Sequence, residues 1–354
     1  MSRIETISSC RIDYNKVGYS ASLNNSERYK LNKGDILLSH INSLAHIGKT
    51  AFYDGEQQLF HGMNLLRLSC AQDVNPKCMY FFLNTPSFLN RCKVLAKQAV
   101  NQASISTSDL KNIQVYLPKL PEQSKISMML SCIDSRIETQ SKIIEELTTL
   151  RSALHQEIMS KGLEDGSWRM QTLADVLSER TELNNDGYVV HSVSVSKGIV
   201  NQIEYLGRSF AAKDTSRYHV AYPGDIVYTK SPTGEFPYGI IKQNQISIKA
   251  ALSPLYGVYA PISLEIGYII HSHFLSAKNA LNYLHPLIQK GAKNTINITN
   301  QRFLQNSMPL PSSNSVAVLY YKTIKTLSDK IALEISMLEQ LQIQKRKLLN
   351  DMFI

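Results

Sequence analysis

No two of the 16 glycines are spaced G-x-G, so the dinucleotide-binding fingerprint is absent. Gly48-Lys49-Thr50 looks like the end of a phosphate-binding loop, but that loop needs glycine at position 43, where Ser43 stands. There is no Pro-Pro dipeptide, which removes the N-P-P-Y-type motif of amino-methyltransferases. There is no Pro-Asp dipeptide and no E-x-K tripeptide, which counts against the common nuclease core. H-E-x-x-H and G-x-S-x-G are missing too. These absences do not exclude an unfamiliar enzyme, but they weigh against catalysis by this chain.

Cysteine is sparse and unpaired in pattern. Five residues (Cys10, Cys70, Cys78, Cys92 and Cys132) form an odd set with no C-x-x-C, which reads as reduced thiols in a cytoplasm. His271-Ser272-His273 is the only close histidine pair, and without a neighbouring Cys or carboxylate it reads as a strand-end pair, not a metal site. The start of the chain has no signal pattern, and no apolar run approaches the roughly 20 residues of a membrane helix. No membrane association is expected. With 354 residues, 43% of them hydrophobic, the chain is long enough for two or three domains of about 150 residues. Lys and Arg number 38 against 29 Asp and Glu, a net charge of +9 that favours polyanionic partners, most often nucleic acid.

The chain repeats itself. Arg28 to Leu37 (RYKLNKGDIL) and Arg217 to Val227 (RYHVAYPGDIV) both run from a basic-aromatic pair to Gly-Asp and an apolar strand. Gly tolerates positive φ there and Asp can bond the local backbone, which suits a tight turn. Further on, Ile105, Leu110 and Pro118 recur as Ile298, Phe303 and Pro311, each offset by 193.

Two long helical patterns follow, each after a Leu-Pro. Ile126, Leu130, Ile133, Ile137, Gln140, Ile144, Leu147, Arg151, Leu154 and Ile158 step alternately by 4 and 3. Tyr320, Ile324, Leu327, Ile331, Glu334, Leu338, Leu341, Lys345, Leu348 and Met352 do the same, all offset by 194. The mean period of 3.5 is that of a coiled-coil seam, running here from Ile133 to Ile158 and from Leu327 to Met352. Two repeats related by a two-fold axis would set the helices antiparallel. A register in which paired numbers total 485 places Ile137 opposite Leu348, Ile144 opposite Leu341, Arg151 opposite Glu334 and Gln140 opposite Lys345. A slip that set Gln140 against Met352 would strand a polar group on an apolar one.

The expected fold class is therefore α+β, with two globular domains in a pseudo-two-fold repeat joined by two long helices in an antiparallel coiled coil. Its boundaries are 1–121 for a short first domain, 122–161 for the first spacer helix, 162–312 for the second domain and 313–354 for the second spacer helix. The first domain carries 14 basic and 8 acidic groups, net +6, and the second 13 and 11, net +2, so the first should face a polyanion more strongly.

The run Leu117-Pro118-Lys119-Leu120-Pro121-Glu122-Gln123, continuing through Ile126, Leu130, Asp134 and Ile137, resembles the central region of type I restriction-modification specificity (S) subunits. So do Gly34-Asp35-Ile36-Leu37 and Ile47-Gly48-Lys49. Val195 to Val200 and Tyr218 to Val227 are similar to that family's target recognition domains. The resemblance implies a non-catalytic DNA reader with two such domains, each reading half of a gapped, bipartite double-stranded site. It implies that the helices dock two methyltransferase (M) subunits, which bind S-adenosylmethionine, and that restriction (R) subunits using ATP and Mg can join. No cofactor would be bound by this chain. A 40-residue helix is about 60 Å long, against roughly 34–36 Å for a DNA turn, so helix length would set the gap.

The sequence departs from the family pattern twice. The first domain has no counterpart of residues 168–200, and the second helix lacks the Glu-Gln start, having Ser313-Asn314-Ser315-Val316. Candidate DNA contacts are polar or basic residues beside expected strand ends. In the first domain these are His40, Asn42, Ser43, Lys49, Gln98, Asn101 and Gln102. In the second they are Lys230, Ser231, Thr233, Lys290, Lys293 and Asn294. Asn and Gln can pair bidentately with adenine, and Lys can reach guanine or phosphate. The competing readings are a stand-alone DNA-binding or modifying enzyme, for which no acidic metal cluster is evident, and a coiled-coil scaffold, which leaves two basic domains idle.

Overall fold

The computed structural model describes residues 1–19, 26–99, 102–207, 214–290 and 296–353. The chain is α+β and divides into two compact units, Met1–Ile143 with Glu334–Ile354, and Ile144–Leu333.

In the first unit the apolar run Ile36–Ser39 is buried on both faces as the central strand. Thr50–Phe52 and Leu65–Leu68 flank it antiparallel. The turn before it depends on Gly34 at φ +97°, a conformation that costs glycine little, and on Asp35, whose carboxylate accepts from the Asn32 amide at 2.8 Å. The Ser69 hydroxyl donates to the other carboxylate oxygen at 2.6 Å. Helices Pro76–Leu83 and Pro86–Leu95 begin at the side-chain caps Asn75 and Thr85, each followed by proline at the first helical position. The hairpin of Lys97–Ala99 and Gln102–Ser104 then joins Ile41–Asn42 in a small sheet. The Ser106-capped helix Thr107–Lys111 leads on to the helix Leu120–Asp165.

The second unit is built from the same parts. Ile226–Tyr228 lies between Ile241–Gln243 and Gly257–Pro261. Gly224 has φ +92°, and Asp225 accepts from the Tyr222 amide at 2.8 Å. Arg180 replaces Ser69 as the carboxylate's second partner, donating at 2.7 and 3.1 Å. Helices Leu264–His273, Ala277–Leu284 and Asn300–Phe303 start at caps Ser263, Ser276 and Thr299. A hairpin of Gln289–Lys290 and Ile296–Asn297 precedes the last of these. Ser307–Pro311 then leads into the helix Asn314–Met352.

Among the described residues, further elements belong to the second unit alone. Trp168–Thr172 pairs over five residues with Ser307–Pro311. After the turn Leu173–Asp175, Leu177–Glu179 adds a fourth strand to Gly257–Pro261. His191–Ser194 and Gly198–Asn201 form a hairpin whose turn contains Ser196 and Lys197. The first long helix runs four residues beyond 161, because Gly162 lets the buried Trp168 indole lie against it; the helix ends before Gly166 at φ +77°.

Two expectations need correction. His271 and His273 lie in the last turn of helix Leu264–His273, not at a strand end. The Ser263 cap starts a helix whose Ile266–Ile270 stretch is buried on every side, so its composition mimics a buried strand. Among the described residues no cluster is arranged to hold a metal.

The helices do pair antiparallel within each unit, but the 485 register is off by about one heptad. In the first unit Lys345 Nζ meets Asp134 at 2.6 Å and the Gln140 amide donates to the Glu334 carbonyl at 3.0 Å and to its carboxylate. In the second, Arg151 donates to Ser328 at 3.4 Å and His155 meets Tyr320 at 2.5 Å. The cause is local chemistry. Lys345 finds a full carboxylate in Asp134, and the Glu334 carboxylate is satisfied by an amide, so neither needs the partner that the 485 register offers.

Candidate nucleic-acid interface

In the first unit the small sheet gathers part of the candidate set. Asn42 sits opposite Ala103, which in turn sits opposite Gln98, so Asn42 and Gln98 flank one buried alanine. Directly paired residues share a sheet face. Gln98 and Gln102 are exposed, and so is Lys97, which the sequence reading passed over although it precedes Gln98 on the same strand. Asn42 is half-buried, donating to the Ser39 hydroxyl at 3.1 Å and accepting from the Ser43 amide at 2.7 Å. Ser43 is exposed, and its carbonyl closes the turn by accepting from His46 and Ile47.

His40 and Lys49 are placed differently. Burial lowers the His40 pKa, and its Nδ1 is buried without a hydrogen-bond partner. Lys49 is half-buried and donates from Nζ to the Ser8 carbonyl at 2.8 Å, a contact that ties its ammonium to the chain's own backbone. Asn101 lies outside the described residues.

In the second unit Lys230, Ser231 and Thr233 lie on one built loop. Lys230 is at φ +61°, an uncommon conformation for a side-chain-bearing residue. Gly239 backs it so closely that a Cβ there would stand 2.7 Å from the Lys230 nitrogen. Reciprocal backbone bonds of 3.0 and 2.9 Å between Thr233 and Phe236 close the tip. The Tyr228 hydroxyl, donating to the Tyr238 carbonyl at 2.8 Å, and Thr229, accepting from the Ile240 amide at 3.0 Å, pin the base. Ser231 and Thr233 are exposed, while burial lowers the pKa of the half-buried Lys230 against the opposing pull of Glu179. Lys290 is on the second hairpin; Lys293 and Asn294 lie outside the described residues.

The sixteen seam residues are all buried or half-buried. At the second unit's end of the seam, His155 also faces His273 at 3.4 Å between ring nitrogens. Burial, with Arg151 nearby, lowers the His155 pKa to about 4. Burial likewise lowers His271 and His273 to about 3, helped by Lys242 for the first and by His155 for the second.

The geometry is two repeated units, each with polar residues at strand ends or in loops beside a sheet. A protein-family profile described as the type I restriction modification DNA specificity domain matches residues 6–149. The chain is 31% identical over 370 aligned residues to the protein described as the MjaX type I restriction enzyme specificity subunit of Methanocaldococcus jannaschii, covering 99% of this chain and 85% of that one. The chain belongs to the type I restriction enzyme specificity subunits. The EcoKI specificity subunit of Escherichia coli is 26% identical over 176 residues, 48% of this chain and 38% of that subunit. The crystal structure of a type I restriction-modification S subunit from M. genitalium shares the fold, with a TM-score of 0.61 at 16% identity, covering 93% of this chain and 85% of that one. A specificity subunit recognises DNA and is not itself an enzyme. No described helix of this specificity subunit is long and apolar enough to cross a membrane.

Proposed function

We propose that each unit of this specificity subunit reads one half of a bipartite, gapped double-stranded DNA site. We further propose that the two long helices dock two methyltransferase subunits. The observation that supports this best is the recurrence of one turn, one three-stranded core, three capped helices and one polar hairpin in both units. Two copies of one reading frame suit two half-sites. In the first unit Asn42, Gln98 and Gln102, with Lys97 beside them, would meet base edges and phosphates, and His40 and Ser43 would lie at the margin. In the second, Lys230, Ser231 and Thr233 would enter from the loop, with Lys290, Lys293 and Asn294 kept as candidates from the sequence. Base-edge contacts would specify sequence while Lys and Arg on phosphates hold position.

The chemistry would belong to the partners. Methyltransferase subunits would bring S-adenosylmethionine, and restriction subunits, where they join, would bring ATP and Mg, all in the cytoplasm. The gap between half-sites would follow the length of the paired helices. Co-expression with methyltransferase subunits, followed by sequencing of the methylated sites, tests this. A two-part methylated motif, with one half altered by changes in each unit, is expected. Methylation that ignores changes in both units, or failure to form a complex with methyltransferase subunits, would overturn the reading.

A further inference from the structure

The second unit gathers basic side chains that no carboxylate answers. The charge of Arg151 bears on His155, Lys242 and His271, and His155 meets His273 at 3.4 Å. Burial lowers the three histidines as described above and brings Lys242 down to about 8. A guanidinium does not shed its proton, so Arg151 stays charged. The ionisable groups that bear on it are the phenols of Tyr268 and Tyr320. Among the described residues its one hydrogen bond is the 3.4 Å contact to Ser328, a hydroxyl that already accepts from Tyr268 at 2.8 Å. A partly buried charge with so weak a partner is costly, and an anion beside it would remove that cost.

Arg151 lines a cavity of about 140 Å³ within the same unit. Thr148, Arg151 and Ser152 reach it from one face of the first long helix, at spacings of three and four residues. Ser272, near the end of helix Leu264–His273, and Ser276, the cap of Ala277–Leu284, complete the polar wall, and Ile324 closes it. Ser272 is 7% exposed, and its Oγ has no hydrogen bond of normal geometry, although Tyr320 lies near. Ser276 Oγ accepts from the Asn279 amide at 3.3 Å, which leaves its O–H free to donate and sets the positive end of an eight-residue helix at the cavity. Among the described residues no Asp or Glu lines the cavity. Its volume is well below the roughly 300 Å³ at which sites for drug-sized ligands begin, and suits a compact ion.

We propose that this cavity in the second unit binds a free tetrahedral oxyanion of the inorganic phosphate or sulfate class, held by Arg151 and the hydroxyls of Thr148, Ser152, Ser272 and Ser276. Such an ion accepts hydrogen bonds in every direction, which matches a guanidinium and four hydroxyls converging without a carboxylate. It pairs the Arg151 charge and gives Ser272 its missing partner. Ser152 is exposed and marks the mouth. The small volume favours a free ion over the phosphodiester of a nucleic acid, which carries a nucleoside on either side. This does not depend on the DNA-reading assignment.

The test titrates inorganic phosphate into the full-length chain by isothermal titration calorimetry, in chloride at constant ionic strength. Saturable binding of one ion per chain is expected. Arg151→Met should weaken it at least about tenfold, the worth of one hydrogen bond to a charged group. Ser152→Glu, a change at an exposed position, should weaken it as much by repulsion. Lys161→Met removes an exposed cation farther along the same helix and should leave binding unchanged. Circular dichroism without phosphate checks that each variant is folded; should Arg151→Met not be, Ser152→Glu decides. Failure to saturate at millimolar phosphate, binding unaffected by a folded Arg151→Met or Ser152→Glu variant, an equal loss on Lys161→Met, or displacement of the ion by duplex DNA would each overturn the proposal.

Discussion

Gln140 and Glu334 occupy the same position in the two copies of the repeat, 194 residues apart, and they hydrogen-bond to each other. In an antiparallel pairing of two equivalent helices a residue can meet its own counterpart at only one level, so this contact fixes the register. Gln140 is almost fully buried, and its amide has found both the carbonyl and the carboxylate of Glu334. Removing one partner leaves the other desolvated. Gln140→Ala is expected to destabilise the first unit by about 1–3 kcal/mol, whereas Gln140→Leu with Glu334→Leu should cost far less. Urea denaturation of the single and double variants, analysed as a cycle, checks this.

Acid should act on the second unit through the buried His155 and His273 and the half-buried His271. In the unfolded chain these groups titrate near 6.5, while the folded pKa of His155 is about 4 and those of His271 and His273 are about 3. Between those values the unfolded state binds more protons, so stability is fully present above pH 6.5 and is lost as pH falls toward 4. Replacing His155 with Leu removes one of these proton sites. The stability difference between pH 7 and pH 5, from urea midpoints, should then shrink by about 2 kcal/mol.

Gly162→Ala sets two effects against each other. Alanine favours a helix over glycine by about 1 kcal/mol, but its Cβ would stand 2.1 Å from the Trp168 indole. The indole is 2% exposed and has nowhere to move, so overpacking wins. A net loss of about 2 kcal/mol is expected in thermal or urea unfolding.

The candidate DNA contacts separate into two classes. Gln98→Ala and Thr233→Ala touch exposed side chains and should relax methylation at different half-sites, each by about 1–3 kcal/mol of discrimination. Lys49→Ala should leave specificity intact and instead destabilise the first unit by about 1 kcal/mol, because its ammonium is held by the Ser8 carbonyl. Sequencing of methylated sites, beside denaturation of each variant, distinguishes the two outcomes. DNA affinity should also fall steeply with salt, since phosphate contacts release counterions.

The long helices were legible because burial in a packed pair follows a period of 3.5, and Ile, Leu and Met mark it along both segments. The Gly-Asp turns were legible because few residue types supply positive φ followed by a carboxylate that bonds its own turn. The register was not, since several heptad slips preserve the apolar matching and only Asp134, which lies off the seam, tells which slip Lys345 prefers. His271 and His273 misled because a helix buried all round reads like a buried strand. Lys49 misled because the backbone carbonyl that holds it lies 41 residues away in sequence.

Trp168 is the chain's single tryptophan, packed edge-on against Tyr320 at 5.5 Å between ring centres within the second unit. Its emission therefore reports on one half of the molecule and is blind to the other. Excited at the tryptophan edge, an unfolding curve of the intact chain isolates the second unit without dissection, and its departure from the far-ultraviolet curve measures how independently the two halves melt.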